Sequence, residues 1–260
     1  MDYKYLHTRR EKNVLTITLD RPKANAFDFI LVEELLDALN SASRNPDVRC
    51  LILTGAGHFF SSGQDVGKIL EEGPSVPYRA HLQRTYNAIV RTLRTLELPV
   101  IGAINGPTAG AGLGIALATD IRWAAASAKF IFGFPAIGLA ADSGVSLTLP
   151  LQVGLAKAGE MAFTNQPLDA GEALEWGLVT RALPDDQLMP AVSELAREIA
   201  AGASRAHGLT KRAFNHAFLS NLEDVLDYEA QLQQIAGETS DHQEGLRAFM
   251  EKRAPVFRGK

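Results

Sequence analysis

From Val14 to Asp20 apolar and polar residues alternate, with Leu15, Ile17 and Leu19 on one face, the period of a half-buried strand. Asp28 is placed to cap a helix through about Ala42, whose stripe carries Leu31, Leu35, Ala38 and Leu39, and Asn45-Pro46 ends it. Arg49 to Thr54 reads as a second, fully buried strand closed by Gly55-Ala56-Gly57. A helix from Tyr78 to about Leu96 precedes a third strand, Pro99 to Ile104. The chain then turns through small residues into an alanine-rich helix ending near Thr119-Asp120. Ile121 to Ala124, Phe130 to Phe132 and Leu178 to Ala182 offer further short strands. Strand alternating with helix in this rhythm predicts an α/β fold with right-handed crossovers and a largely parallel core.

From Leu155 onward the pattern is mostly helical. Asp169-x-x-Glu172 reads as a capping box with Gly177 as the helix stop, and Asp241-x-x-Glu244 repeats the device before Leu246, Phe249 and Met250. Between them Asp185 to Ala201, Ser204 to Leu219 and Leu222 to Ala236 are expected helices. The division expected is a core over 1–200 and a helical region over 201–260 that caps the site or forms an assembly surface.

Composition narrows the classes. With 46% hydrophobic and 22% charged residues, the 260-residue chain can bury a sizeable core, and a net charge of −4 gives no reason to expect nucleic acid. The single cysteine, Cys50, excludes an internal disulfide and reads as a buried spectator thiol. The six histidines lack close ligand spacing, so no metal is expected. No stretch has the apolar length of a secretory signal or a membrane span, so a cytoplasmic location is the expectation.

Candidate chemistry begins at Asn105-Gly106-Pro107-Thr108-Ala109-Gly110-Ala111-Gly112-Leu113-Gly114. A strand that turns directly into a helix leaves backbone N–H groups without intrahelical partners, and such donors suit an anion or a developing oxyanion. The glycines could equally serve a close helix–sheet contact. A dinucleotide turn is disfavoured because Ile115 stands where a third glycine would be needed, and no Gly-Lys-Ser/Thr follows.

Further segments take the reading beyond one turn: Arg21-Pro22-Lys23-Ala24-Asn25-Ala26, Phe59-Phe60-Ser61-Ser62-Gly63-Gln64-Asp65-Val66, and Gly133-Phe134-Pro135-Ala136-Ile137-Gly138 running on to Asp142-Ser143-Gly144. With the ending Glu244-Gly245-x-x-Ala248-Phe249-x-x-Lys252-Arg253-x-Pro255-x-Phe257, the whole chain resembles the crotonase (enoyl-CoA hydratase/isomerase) superfamily. The resemblance implies a spiral of ββα units with a C-terminal helical region, assembled as a homotrimer or a dimer of trimers. It implies acyl-CoA thioester substrates, with coenzyme A as part of the substrate and no prosthetic group. Two backbone N–H groups would hold the thioester oxygen as it becomes an enolate; by motif position they belong to Gln64 and Ala111. For coenzyme A the resemblance implies Lys23, Ala24, Asp65 and Val66, with Phe249 and Lys252 at the adenine end. Lys252, Arg253, Arg258 and Lys260 read equally well as a solvated basic tail.

The two glutamates of the hydratases are missing: Gly114 and Ala136 stand in their places. Asp142, beside the small and apolar Ile137 to Ala141, is the replacement expected as proton shuttle. From local pattern alone it is a cap for a helix starting at Ser143; the resemblance reverses that preference, because ring-1,2-epoxyphenylacetyl-CoA isomerases and 4-chlorobenzoyl-CoA dehalogenases carry an Asp there. The dehalogenases add a Trp and a His where this chain has Phe134 and Asn87, which favours the isomerase. Asp65 is expected as a structural cap, and Ser143 has no histidine partner for nucleophilic work. Tyr86, Asn87 and Phe134 line the acyl pocket or simply pack. The rest of that pocket falls on Lys68 to Leu82, with Gly73-Pro74-x-x-Pro77 as a mobile loop. An enoyl-CoA hydratase-like lyase and a catalytically silent acyl-CoA-binding protein are the alternative readings.

Overall fold

The computed structural model describes residues 2–72 and 77–260; of the expected loop at Gly73-Pro74-x-x-Pro77, residues 73–76 lie outside this range. The chain runs β1 (Leu6–Glu11), β2 (Val14–Leu19), α1 (Phe29–Arg44), β3 (Cys50–Gly55), α2 (Val66–Glu72), α3 (Tyr78–Arg84), α4 (Tyr86–Thr95) and β4 (Val100–Ile104). It continues through β5 (Thr108–Ala109), α5 (Ala111–Leu117), β6 (Ile121–Ala125), β7 (Lys129–Ile131), a 3₁₀ turn at Phe134–Ile137, α6 (Val145–Thr164), β8 (Leu168–Asp169), α7 (Ala170–Glu175) and β9 (Arg181–Leu183). Four helices follow: α8 (Asp185–Ala201), α9 (Ser204–Phe218), α10 (Leu222–Gly237) and α11 (Ser240–Glu251). The main sheet has the order β1-β2-β3-β4-β6-β9, and a smaller one the order β5-β7-β8.

In the main sheet the β1–β2 hairpin is antiparallel and the other strand pairs among the described residues are parallel. Parallel strands are covered on both faces, so their residues are buried without alternation; every residue of β3 and β4 is buried. On one face Val14, Cys50, Ile52, Ile101, Ala103 and Trp123 pack under Leu188, Val192, Ala196 and Ala200 of α8. On the other, Ile17, Leu51, Leu53 and Ile104 join α1, α4 and α5 in the larger core. Cys50 lies under α8, and burial pushes its thiol up to about 12, so it stays neutral and inert.

Local signals place several ends. Asp28 caps α1 by accepting the Leu31 N–H at 2.9 Å, and the expected capping box at Asp169 and Glu172 is present. Other expectations need correcting. The helix expected over Tyr78 to Leu96 is two, because Thr85 (φ −113°, ψ −100°) breaks it between α3 and α4. The second capping box does not form: Thr239 caps α11, while Asp241 accepts the N–H groups of Arg258 and Gly259 and Glu244 pairs with Arg253. β1 went unread, because five of its six residues are exposed and no apolar period marks it. The strand expected over Leu178 to Ala182 forms only at Arg181–Leu183; Leu178 and Val179 are buried in the approach to it.

The C-terminal helices return to the core. α9 packs on α4, α10 on α3 and α6, and α11 on the 3₁₀ turn and α2. Among the described residues, no helix is long and apolar enough to cross a membrane.

Candidate active site

Two strand-end turns meet beside α5. The segment after β3 is stitched to the one after β4 by a bridge between Ser61 and Thr108, with Ala109 N–H donating to Ser61 O at 3.0 Å. On its other side, Phe27 N–H donates to Gly63 O at 2.7 Å and Asp65 N–H to Phe27 O at 3.0 Å. Gln64 lies between those two bonds, so its own N–H faces away from residue 27 and donates to no protein group among the described residues. Ala111 is the first residue of α5 and its N–H is likewise free, as the opening of a helix requires.

The two turns touch. A Cβ built on Gly63 (φ +85°) would lie 2.6 Å from Ala109 O and 3.4 Å from Ala111 N. Only glycine permits this backbone together with this approach, and it makes the free N–H groups of Gln64 and Ala111 neighbours. Gly63→Ala is therefore expected to destabilise the fold by about 1–3 kcal/mol, read from the denaturant midpoint. A midpoint equal to wild type would mean that the turns separate without cost.

The Gln64 side chain points to α3, its Nε2 3.1 Å from His81 Nε2. Burial pushes the His81 imidazole down to about 4, so the ring is neutral near pH 7 and can accept the amide proton. Phe29 and Tyr86 meet that ring edge-on, with centroids at 5.3 and 5.6 Å. A cavity of about 210 Å³ opens here, lined by Phe27, Phe29, Ile30, Gln64, Ile69 and His81. A neighbouring one of about 190 Å³ is lined by Tyr5, Arg21, Pro22, Lys23, Asp65 and Lys68. A larger cavity, about 380 Å³, lies around Arg94, Arg122 and Phe214. It sits at the carbonyl end of α5, away from the free N–H groups, and we assign it no part in the site.

Asp142 is 3% exposed. Its Oδ1 accepts the Ser143 hydroxyl at 2.6 Å and its Oδ2 accepts Gln233 Nε2 at 2.8 Å. Burial pushes the carboxyl up to about 7; the Ser143 and Gln233 hydrogen bonds pull it back, and the charge of Glu229 adds to the rise. The reading of Asp142 as a helix cap is corrected: α6 starts at Val145, behind Ser143 and Gly144 in left-handed conformation, and no side chain of that loop caps it. Ser143 packs on Gly114, where an added Cβ would come within 2.4 Å of Ser143 Cβ and 2.7 Å of its carbonyl oxygen. Gly114 and Ala111 are one turn apart on α5, so this contact packs the Asp142 loop against the helix that Ala111 begins. Ala136 lies exposed on the 3₁₀ turn, and Phe134 is buried against Phe132.

The remaining sequence-derived residues are placed as follows. Lys23, Ala24 and Asn25 all have positive φ, 64°, 63° and 53°. Three such residues in succession store strain, which the surrounding hydrogen bonds must hold. Asn25 supplies them: its Nδ2 donates to Ala56 O and Phe59 O, and its Oδ1 accepts the Arg21 N–H. Asp65 pairs with Arg21 at 2.6 Å and accepts the Gly67 N–H, which holds its carboxyl below its usual range against the cost of burial. Val66 is buried at the start of α2. Phe249 and Lys252 are exposed at the end of α11 and line neither cavity beside Gln64. Asn87 is buried, its Nδ2 donating to Leu226 O and its Oδ1 without a partner among the described residues. Among the described residues, no three His, Cys, Asp or Glu side chains could together hold a metal ion.

The sequence reading missed His81, Asn25, Glu229 and Gln233. The last two carried a signal, since they interrupt the buried stripe Leu222, Leu226, Ala230 and Gly237 of α10 with polar groups.

Residues 9–260 match the enoyl-CoA hydratase/isomerase family model. A 1,2-epoxyphenylacetyl-CoA isomerase from Escherichia coli (strain K12) is 39% identical over 99% of both chains. The 4-chlorobenzoyl coenzyme A dehalogenase-2 of an Arthrobacter species is 34% identical, covering 87% of this chain and 83% of its own. Among solved structures, an enoyl-CoA hydratase from Mycobacterium avium subsp. paratuberculosis K-10 superposes with a TM-score of 0.89 at 32% identity, over 99% of this chain and 100% of that one. The chain belongs to the enoyl-CoA hydratase/isomerase family of enzymes, the crotonase superfamily, and has its fold.

Proposed function

We propose that this chain is an acyl-CoA isomerase in which Gln64 N–H and Ala111 N–H stabilise an enolate and Asp142 shuttles the proton. The observation that carries the reading is Asp142, a buried carboxyl pushed up to about 7 on a loop packed against the helix that begins with the free Ala111 N–H. The thioester oxygen docks on the two N–H groups, and the carboxylate of Asp142 removes a proton from carbon. The C–H electron pair enters the enolate, and the same proton returns from Asp142 at another carbon, shifting a double bond. For a strained oxygen-containing ring conjugated to the enolate, the enolate pair forms a new C=C bond and the ring C–O bond breaks. The electron pair of that bond goes to oxygen, and the oxygen takes the proton from Asp142. No atom is gained or lost, so one carboxyl serves as base and then acid. A removed oxyanion donor costs about 3–4 kcal/mol in comparable sites. With Gly114 and Ala136 at the glutamate positions, no second carboxyl is present there to hold a water.

Coenzyme A enters as part of the substrate in this reading. Lys23 and Ala24 on the strained turn, with Asp65 and Val66 behind them, form its nearer cradle, and Phe249 and Lys252 meet the adenine end in an assembled homotrimer or dimer of trimers. In the cavity beside that turn Arg21 is already met by Asp28 and Asp65, so it is Lys23 that supports a phosphate-bearing ligand, and the strain at Lys23 and Ala24 fits a site held ready for one.

The test is an assay of wild type and Asp142→Asn on a panel of enoyl- and aromatic-ring acyl-CoA esters. Wild type should move a double bond or open a ring in at least one of them. The base form of Asp142 must be present first, so kcat/KM is expected to rise with pH through about 7 and level off above it. No turnover in any ester would make the chain a silent thioester binder. Hydration of crotonyl-CoA at the isomerisation rate would make it a lyase.

A further inference from the structure

Within its own loop the Asp142 carboxyl has one partner, the Ser143 hydroxyl on Oδ1. Ser143 (φ 57°) and Gly144 (φ 74°) lift the loop off the start of α6, where no local side chain caps the helix. The support comes from α10. Glu229, 2% exposed, takes the Gly144 N–H on Oε2 at 2.7 Å, and on Oε1 the Ser146 N–H at 2.9 Å and the Ser146 hydroxyl at 2.5 Å. One turn further on, the Gln233 amide bridges Ala140 O and Asp142 Oδ2, each at 2.8 Å, so both sides of the loop are tied to one helix face.

We propose that Glu229 and Gln233 are positioning residues for Asp142: Gln233 aims its carboxylate, and Glu229 supplies, from α10, the cap that fixes the loop behind it. This rests on the proposal that Asp142 is the proton shuttle.

The two residues act on Asp142 in opposite senses. Gln233 donates to the carboxylate and so favours its ionised form. Glu229 is a buried carboxyl whose own ionisation is disfavoured by burial and sustained by its three donors. When ionised it disfavours a second charge nearby. Among the described residues, no cation offsets it: the other titratable group acting with Asp142 is the neutral Tyr86 phenol on α4. A shuttle that must both take and release a proton near neutral pH needs this opposition, which keeps neither form of Asp142 strongly favoured.

The experiment compares Glu229→Gln with Gln233→Leu. Glu229→Gln keeps size and one acceptor but removes the charge; Gln233→Leu removes the donor. Two readouts are taken: the acid limb of kcat/KM, and the titration of Asp142 followed by carbon-13 NMR of labelled carboxyls, assigned by its disappearance in Asp142→Asn. The limb and the NMR midpoint should move to lower pH in Glu229→Gln and to higher pH in Gln233→Leu, each by at least half a pH unit. A purely structural pair would lower stability or kcat and leave both midpoints in place, and that result overturns the inference, as does a shift of both variants in one direction. If the NMR midpoints move as stated while Asp142→Asn keeps full activity, the positioning geometry stands and the shuttle reading is lost. Should either variant fail to fold, Glu229→Asp and Gln233→Asn, which shorten the reach but keep the groups, carry the same NMR comparison. Both should move the midpoint in the direction of the corresponding larger change.

Discussion

Asp142→Ala is expected to lower kcat by about 10²–10⁴-fold, the usual contribution of one positioned acid–base group, while leaving KM within a few-fold. In the proposed mechanism the thioester would still dock on the N–H groups of Gln64 and Ala111, which the substitution does not touch. The stability of the same site should respond in the opposite direction. Asp142 binds its proton more tightly in the folded chain than in the unfolded one, because burial penalises the charge. Its contribution to stability is therefore complete below about pH 4 and is lost as pH rises through about 7. Asp142→Asn keeps the shape and never ionises, so its advantage over wild type should grow between those values and then level, reaching at most about 4 kcal/mol. Thermal melts of both proteins from pH 4 to pH 9, with turnover at each pH, check the pair. An advantage that shrinks as pH rises would show that the fold stabilises the carboxylate after all.

Restoring the hydratase glutamate should fail, and for a steric reason. At Gly114 even a Cβ meets Ser143 Cβ at 2.4 Å and the Ser143 carbonyl oxygen at 2.7 Å, and backbone cannot swing aside as a side-chain tip can. Gly114→Ala is expected to cost about 1–3 kcal/mol through overpacking, measurable by denaturant unfolding. Gly114→Glu must push the Asp142 loop off α5, so it should lose isomerisation without gaining hydration of crotonyl-CoA. A Gly114→Glu protein as stable as wild type and active as a hydratase would falsify the packing account. The missing carboxylate and the present aspartate are two sides of one arrangement, in which the loop occupies the space a longer side chain would need.

Much of this was legible in the sequence, and the rest was hidden for identifiable reasons. The buried runs at Cys50 to Gly55 and Val100 to Ile104 and the small-residue turn into α5 are local patterns that mark strand ends with free backbone N–H groups, while the resemblance singled out Gln64 and Ala111. Asp142 stood out through the family resemblance, since local pattern alone favoured a helix cap. Thr85 breaks a helix that periodicity alone continues, because its backbone conformation is set by tertiary packing. Gly114 was read as an absence, although its role is contact with a residue twenty-nine positions later, which no local pattern records. Asp142 and Gln233 are 91 residues apart, and Gly144 and Glu229 are 85 apart. Only folding joins them, and two polar residues on a buried helical stripe were the one trace left in the chain.

That separation gives the site an order of assembly. The segments that leave the N–H groups of Gln64 and Ala111 free are complete once β7, which pairs with β5 and takes the Gly110 N–H on Ile131 O, has been made. Asp142 waits for α10, made last but one among the helices. In the proposed mechanism, a chain made only as far as β7 carries both N–H donors but an unanchored Asp142, so reactivity is withheld until α10 is made.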